Sequence, residues 1–102
     1  CVLDTEGRYV RVNRKLAEIN GVPIEAHIGK RVSDIIPDVA SKTTPLAERL
    51  ASGEPRYGVE IQAETPARPG VIRTFRHSWA PLRDATGAAV GVSVAVEEVM
   101  PE

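Results

Sequence analysis

Residues 74 to 99, TFRHSWAPLRDATGAAVGVSVAVEEV, alternate in character through two segments separated by a polar run. In the first, Phe75, His77, Trp79 and Pro81 fall on one side of an extended chain, and Thr74, Arg76, Ser78 and Ala80 on the other. In the second, Val90, Val92, Val94 and Val96 alternate with Gly91, Ser93 and Ala95. A period of two over this length belongs to strands and not to a helix, whose faces repeat every 3.6 residues. The run Arg83-Asp84-Ala85-Thr86-Gly87 between them supplies turn residues, so the stretch reads as a β-hairpin. Any fold of this chain must accommodate two long neighbouring strands near its end.

The remainder reads as partners for that hairpin. Cys1-Val2-Leu3, the turn residues Asp4-Thr5-Glu6-Gly7 and Arg8-Tyr9-Val10-Arg11-Val12 predict a first, shorter hairpin. Asn13 is placed to cap a helix carrying Leu16, Ala17 and Ile19, which Gly21 and Pro23 end. A further turn is expected over 24–28, and a short helical piece over 32–36 that Pro37 stops. Thr44-Pro45 opens a helix with Leu46, Ala47 and Leu50 on its buried side and Gly53 at its end. Tyr57, Val59, Ile61 and Ala63 then alternate with Gly58, Glu60, Gln62 and Glu64 as a half-buried strand, and 65–70, with two prolines, reads as a mobile connection. Five short strands and several short helices predict one α+β domain over residues 1–102, an antiparallel sheet with the helices on one face.

Composition narrows the function. A net charge of -1 and a pI near 6.2, with no basic run, argue against a nucleic-acid partner. Cys1 is the single cysteine, which excludes an internal disulfide and paired-thiolate metal sites and fits a reducing cytoplasm. No apolar run reaches the roughly 20 residues that span a bilayer, so direct membrane insertion is not expected. The chain begins without Met, which suggests a piece of a longer multidomain protein. No metal-ligand spacing joins His27 to His77, no Gly-rich loop opens a helix, and Glu97 and Glu98 point to opposite faces of a strand, so an enzyme is not expected.

Four stretches taken together resemble the PAS domains, sensory and interaction modules of signalling proteins. They are Asp4-x-x-Gly7 before a strand ending in Val12-Asn13, then Ile28-Gly29-Lys30, then Leu46-x-x-x-Leu50 with Gly53, and finally Trp79-Ala80-Pro81-Leu82-Arg83-Asp84-x-x-Gly87-x-x-x-Gly91-Val92. The resemblance covers nearly the whole chain. It implies a five-stranded antiparallel sheet with short helices on one face, a pocket between them, and an effector domain in the same chain, of the two-component or cyclic-nucleotide type. The flavin-binding subclass carries a cysteine three residues after a Gly like Gly29; Val32 stands there, so no flavin-cysteinyl adduct is expected. The stretch 44–52, where haem-binding members place their axial histidine, has none, and Cys1 does not match the chromophore-linking thiol of the yellow photoreceptors. The cofactor is left unassigned. Where family members usually end in Asp-Ile-Thr, this chain reads Glu98-Val99-Met100.

The expected pocket is bounded by Leu16, Ile36, Leu50, Ile61, His77 and Trp79, with Phe75, Tyr57 and Val94 as further ligand contacts. His77, between two aromatics on an apolar face, either offers a ligand a hydrogen bond or is a core histidine satisfied by a neighbour, because an unpaired buried polar group costs about 1–3 kcal/mol. Phe75, Trp79 and Tyr57 either stack on a planar ligand or fill the core. Gly91, Ser93 and Ala95 leave the opposite face of the last strand flat, open to a flanking helix or a second subunit of a homodimer, or simply to solvent. With Glu98 they form the expected interface or signal output. The reading is a sensor that binds a small molecule in an internal pocket and relays the change through its last strand. The alternative is a ligand-free dimerisation module that sets effector geometry.

Overall fold

The computed structural model describes residues 1–43 and 54–99, so the helix expected from Thr44 and its Leu50 lie outside the described residues. The elements run β1 (Val2–Asp4), β2 (Tyr9–Arg11), α1 (Arg14–Asn20), α2 (Ile24–His27), α3 (Val32–Ile35), α4 (Pro37–Lys42), β3 (Arg56–Ala63), β4 (Arg73–Arg83) and β5 (Ala89–Val99). The five strands form one antiparallel sheet in the order β2-β1-β5-β4-β3. The first and last strands are thus neighbours at its centre, as the expected α+β architecture requires.

The two hairpin turns use the same device. Asp4 Oδ1 accepts the N–H groups of Glu6 and Arg8 at 2.9 and 3.0 Å, and Asp84 Oδ1 accepts those of Thr86 and Ala88 at 2.9 and 3.1 Å. Gly7 and Gly87 complete the turns with φ of 80° and 86°, where a side chain would be strained. At the start of α1, Asn13 Oδ1 accepts the Leu16 N–H at 2.9 Å, the cap its position predicts. Gly21 ends that helix in the left-handed region at φ 76°, and a Cβ there would run into the Ala67 backbone.

One expectation is extended and four are corrected. Pro37 ends the piece before it and also opens α4, since a proline at the first helical position gives up only an N–H that has no partner in any helix. Tyr57 lies off the buried face and is 76% exposed, because the pairing of β3 with β4 shifts between Arg56 and Val59, where Gly58 takes a φ of 65°. Val90 is exposed, because a second shift between Leu82 and Arg83 breaks the alternation there. Gly91 is buried and closed to a further partner: β1 crosses so near that a Cβ at Gly91 would meet the Leu3 carbonyl oxygen. The connection after β3 is pinned, with Thr65 Oγ1 donating to the Ile19 carbonyl at 2.9 Å and the Ala67 N–H donating to the Asn20 carbonyl at 3.1 Å.

The core lies between the inner face of the sheet and α1, built on Leu3, Tyr9, Val12, Leu16, Ala17, Trp79, Val92 and Val94. The leucines and valines among them, fully buried, contribute roughly 1.5–3 kcal/mol each. No helix among the described residues is long and apolar enough to cross a membrane.

Candidate functional site

Next to this core the sheet and helices leave a cavity of about 260 Å3. Of the residues expected to bound it, Leu16, Ile36, Ile61, Phe75, His77 and Val94 do so. The alternation of β4 turns Phe75 and His77 inward, at 2% and 3% exposure, and β5 sets Val94 and Val96 beside them. Trp79 is on the same face and as deeply buried, but it packs into the hydrophobic core and is not part of the lining. Tyr57 stands apart from the cavity on the exposed part of β3. On β5, Ser93 and Ala95 are exposed on the outer face, whereas Glu98 pairs with Phe75 across the ladder and turns to the inner side.

Glu98 meets there a residue the sequence reading passed over. Arg73 Nη1 donates to Glu98 Oε1 at 3.2 Å, and Arg73 Nη2 donates to the Ile19 carbonyl at 2.7 Å and to Thr65 Oγ1 at 2.6 Å. Its guanidinium lies 5.0 Å from the centre of the Phe75 ring. One side chain, itself only 9% exposed, thereby ties the end of β5 to α1 and to the segment after β3. The signal was available: Arg73 is in phase with Phe75, His77 and Trp79, and a charge on an apolar face must be paired. On the opposite face Arg76 bridges Glu60 and Glu97, each at 3.2 Å, in an exposed ladder worth little to stability.

The helical side carries a second group that was missed. His27 is fully buried, its Nδ1 2.9 Å from the Pro23 carbonyl oxygen and its Nε2 3.0 Å from Asn20 Nδ2. The Tyr9 ring stands perpendicular to it, at a centroid distance of 5.0 Å and an interplanar angle of 89°. Asn20 and Tyr9 both line the cavity, and burial pushes the Tyr9 phenol up to about 12. Among the described residues no group of histidines, cysteines and carboxylates could hold a metal ion.

Comparison with known proteins agrees with this geometry. The chain matches the PAS fold over residues 1–101. No curated protein matches it. Among solved structures it is similar to the PAS domain of Bordetella pertussis BvgS, with a TM-score of 0.79 and 24% identity over 98% of this chain and 75% of that one. It is also similar to VqmA bound to DPO, with a TM-score of 0.76 and 18% identity over 96% of this chain and 50% of that one. A sensory box sensor histidine kinase from Vibrio cholerae gives a TM-score of 0.74 and 16% identity over 100% of this chain and 81% of that one. At these identities the likeness is one of fold. The strand order, the short helices on one face and the family match over almost every residue converge: this chain belongs to the PAS domain family.

Proposed function

We propose that the domain is a sensory module: a binding unit, not a catalyst, that takes a small molecule into the cavity between sheet and helices and passes the change along β5 to an effector domain. The observation that carries this reading is the cavity of about 260 Å3 beside a complete core. A space of that size, bounded by twelve apolar or aromatic side chains and several polar ones, falls just under the range of about 300–1,000 Å3 common to small-molecule sites. Val32 lies on its lining, and a valine cannot form a thioether with a flavin.

Occupancy would act by population shift. A ligand that favours one packing of helices against sheet by about 1–3 kcal/mol moves the equilibrium several-fold or more, and Arg73, joined to Ile19, Thr65 and Glu98, is placed to transmit it to the end of β5. VqmA, a neighbour in fold, was solved bound to the ligand DPO, which supports the reading by analogy. The exposed Ser93 and Ala95 favour a second role in the same unit, a homodimer formed through the outer face of the sheet.

Native mass spectrometry of protein purified from cells tests both parts. A retained mass of one to a few hundred daltons that denaturation releases is the expected result. A protein that carries no ligand, and whose melting temperature no member of a metabolite panel raises, would leave only the dimerisation role. A monomer at all concentrations would remove that one.

A further inference from the structure

Of the described residues that line the cavity, only Glu6, Arg31 and Ser33 are exposed, and all the others are buried or half-buried. An antiparallel bridge between Arg8 and Arg31 lays the β1–β2 turn, which carries Glu6, alongside the start of α3, which carries Ser33, so the three frame one mouth. The two sides are stapled there: the Tyr9 N–H donates to the Lys30 carbonyl at 2.9 Å, and Arg8 Nη1 donates to the Gly29 carbonyl at 2.9 Å. Carboxylate and cation are confined to this mouth, because Glu6 is the only acid and Arg31 the only lysine or arginine on the described lining. They differ in what meets them. Glu6 Oε2 lies 3.5 Å from Arg8 Nε. Among the described residues no carboxylate stands within ion-pair distance of the Arg31 guanidinium, and Asp34 Oδ2 accepts the Arg31 backbone N–H instead, at 3.1 Å. Deeper in, Thr65 Oγ1 donates to the Ile19 carbonyl and accepts from Arg73, and Asn20 Nδ2 is 3.0 Å from His27 Nε2, so these polar groups are already engaged.

We infer that the cavity takes amphipathic monocarboxylic acids, with the apolar body inside and the carboxylate at the mouth, held by the Arg31 guanidinium with the Ser33 hydroxyl beside it. The orientation follows from the charges. A carboxylate pushed inward would lose its water among Leu16, Ile36, Ile61, Phe75, Val94 and Val96 without gaining a counter-charge. At the mouth it keeps part of its hydration and meets a planar fork of donors that matches its two oxygens. A cationic amphiphile would meet Arg31 there, and the one acid within reach, Glu6, already has Arg8. A second carboxylate on the ligand would have to sit in the apolar interior or against Glu6. The volume, about 260 Å3, suits a body of about eight carbons as a chain or a single substituted ring. This rests on the sensory reading and specifies what its site takes.

The test uses three probes with the same alkyl body and different heads: octanoate, the neutral octanamide, and octylamine, a cation at neutral pH. Each is titrated into the 15N-labelled full chain at pH 7 and followed by NMR. Octanoate is expected to bind about fivefold more tightly than octanamide, the worth of one partly exposed ion pair, with octylamine the weakest. It should also shift the Arg31 Nε–H and Ser33 N–H resonances, and its advantage should shrink as salt is raised. Arg31→Gln should abolish the preference for octanoate over octanamide. Equal affinities for those two, or a preference that persists in Arg31→Gln, would overturn the carboxylate assignment and leave the cavity reading intact, because octanamide still binds. If none of the three enters, the cavity reading itself fails and this inference with it. Should Arg31→Gln not fold, the salt dependence on the unaltered protein decides, since a preference that salt does not weaken is not an ion pair.

Discussion

On the sheet side of the cavity, β4 and β5 run together for eleven residues each, in unbroken register from Thr74↔Val99 to Leu82↔Gly91. On the helical side, α2 and α3 are four residues each, too short to stand as helices by themselves. The sheet wall spreads its stability over a backbone ladder and a row of buried side chains. The helical wall concentrates it in single polar atoms: Asn13 on Leu16, His27 on Pro23, Arg73 on Ile19, and Asp38 on Glu64. A cavity between two such walls has one side that resists change and one that a few hydrogen bonds can reset. That asymmetry suits a sensor, because a ligand need alter only the softer wall to be felt by the stiffer one.

The contrast can be broken most severely from the sheet side. Phe75→Ala empties an almost fully buried position and should cost about 3–5 kcal/mol in urea unfolding, against less than 1 if the wall were merely a frame. Arg73→Met comes next. It takes a donor from Thr65 Oγ1 and from Glu98, leaves the Ile19 carbonyl with Thr65 Oγ1 alone, and should cost about 2–3 kcal/mol, with amide exchange rising in α1 before the sheet. Asn13→Ala removes one cap, worth about 1 kcal/mol, and its signature is faster exchange of the Leu16 N–H alone.

The smallest effect is a matter of pH. Asp38 accepts the Glu64 N–H at 2.8 Å and the Lys42 ammonium at 3.3 Å, and these hold its carboxyl below the usual range, the backbone bond most of all. Because its pKa is lower in the folded state than in the unfolded one, the stability it adds is present above the ordinary carboxylate value and disappears as pH falls through the lowered one. Asp38→Asn should therefore flatten the acid limb of a stability–pH curve below about pH 4 and leave the slope near neutrality unchanged.

The same two walls explain what could be read in the sequence. β4 and β5 were legible because a period of two over eleven residues survives noise, and α1 because Asn13, Gly21 and Pro23 bracket it. Tyr57 and Val90 misled because each sits beside a shift of register, and no alternation announces where a ladder slips. The polar side of the site was illegible for another reason. His27 and Asn20 meet only because the chain turns at Gly21 and again at Pro23, and Tyr9 joins them from a different element, so the trio exists in space before it exists as a pattern. Arg73 was the exception, a charge in phase with three aromatic or imidazole rings, visible to anyone asking what would neutralise it.

One feature of the sheet has a bearing on how the chain is made. Val2 pairs with Ser93, Leu3 with Val92 and Asp4 with Gly91, so the first strand has its second neighbour only when the last is available. On a ribosome adding about 5–20 residues per second, the opening hairpin emerges and waits for roughly 5–20 seconds before β5 can follow it. The centre of the sheet is the final thing to close. Closing a loop of that length costs chain entropy that the neighbouring hairpins do not have to meet, and it leaves the edge of β1 open through synthesis, at the place where Gly91 later admits it.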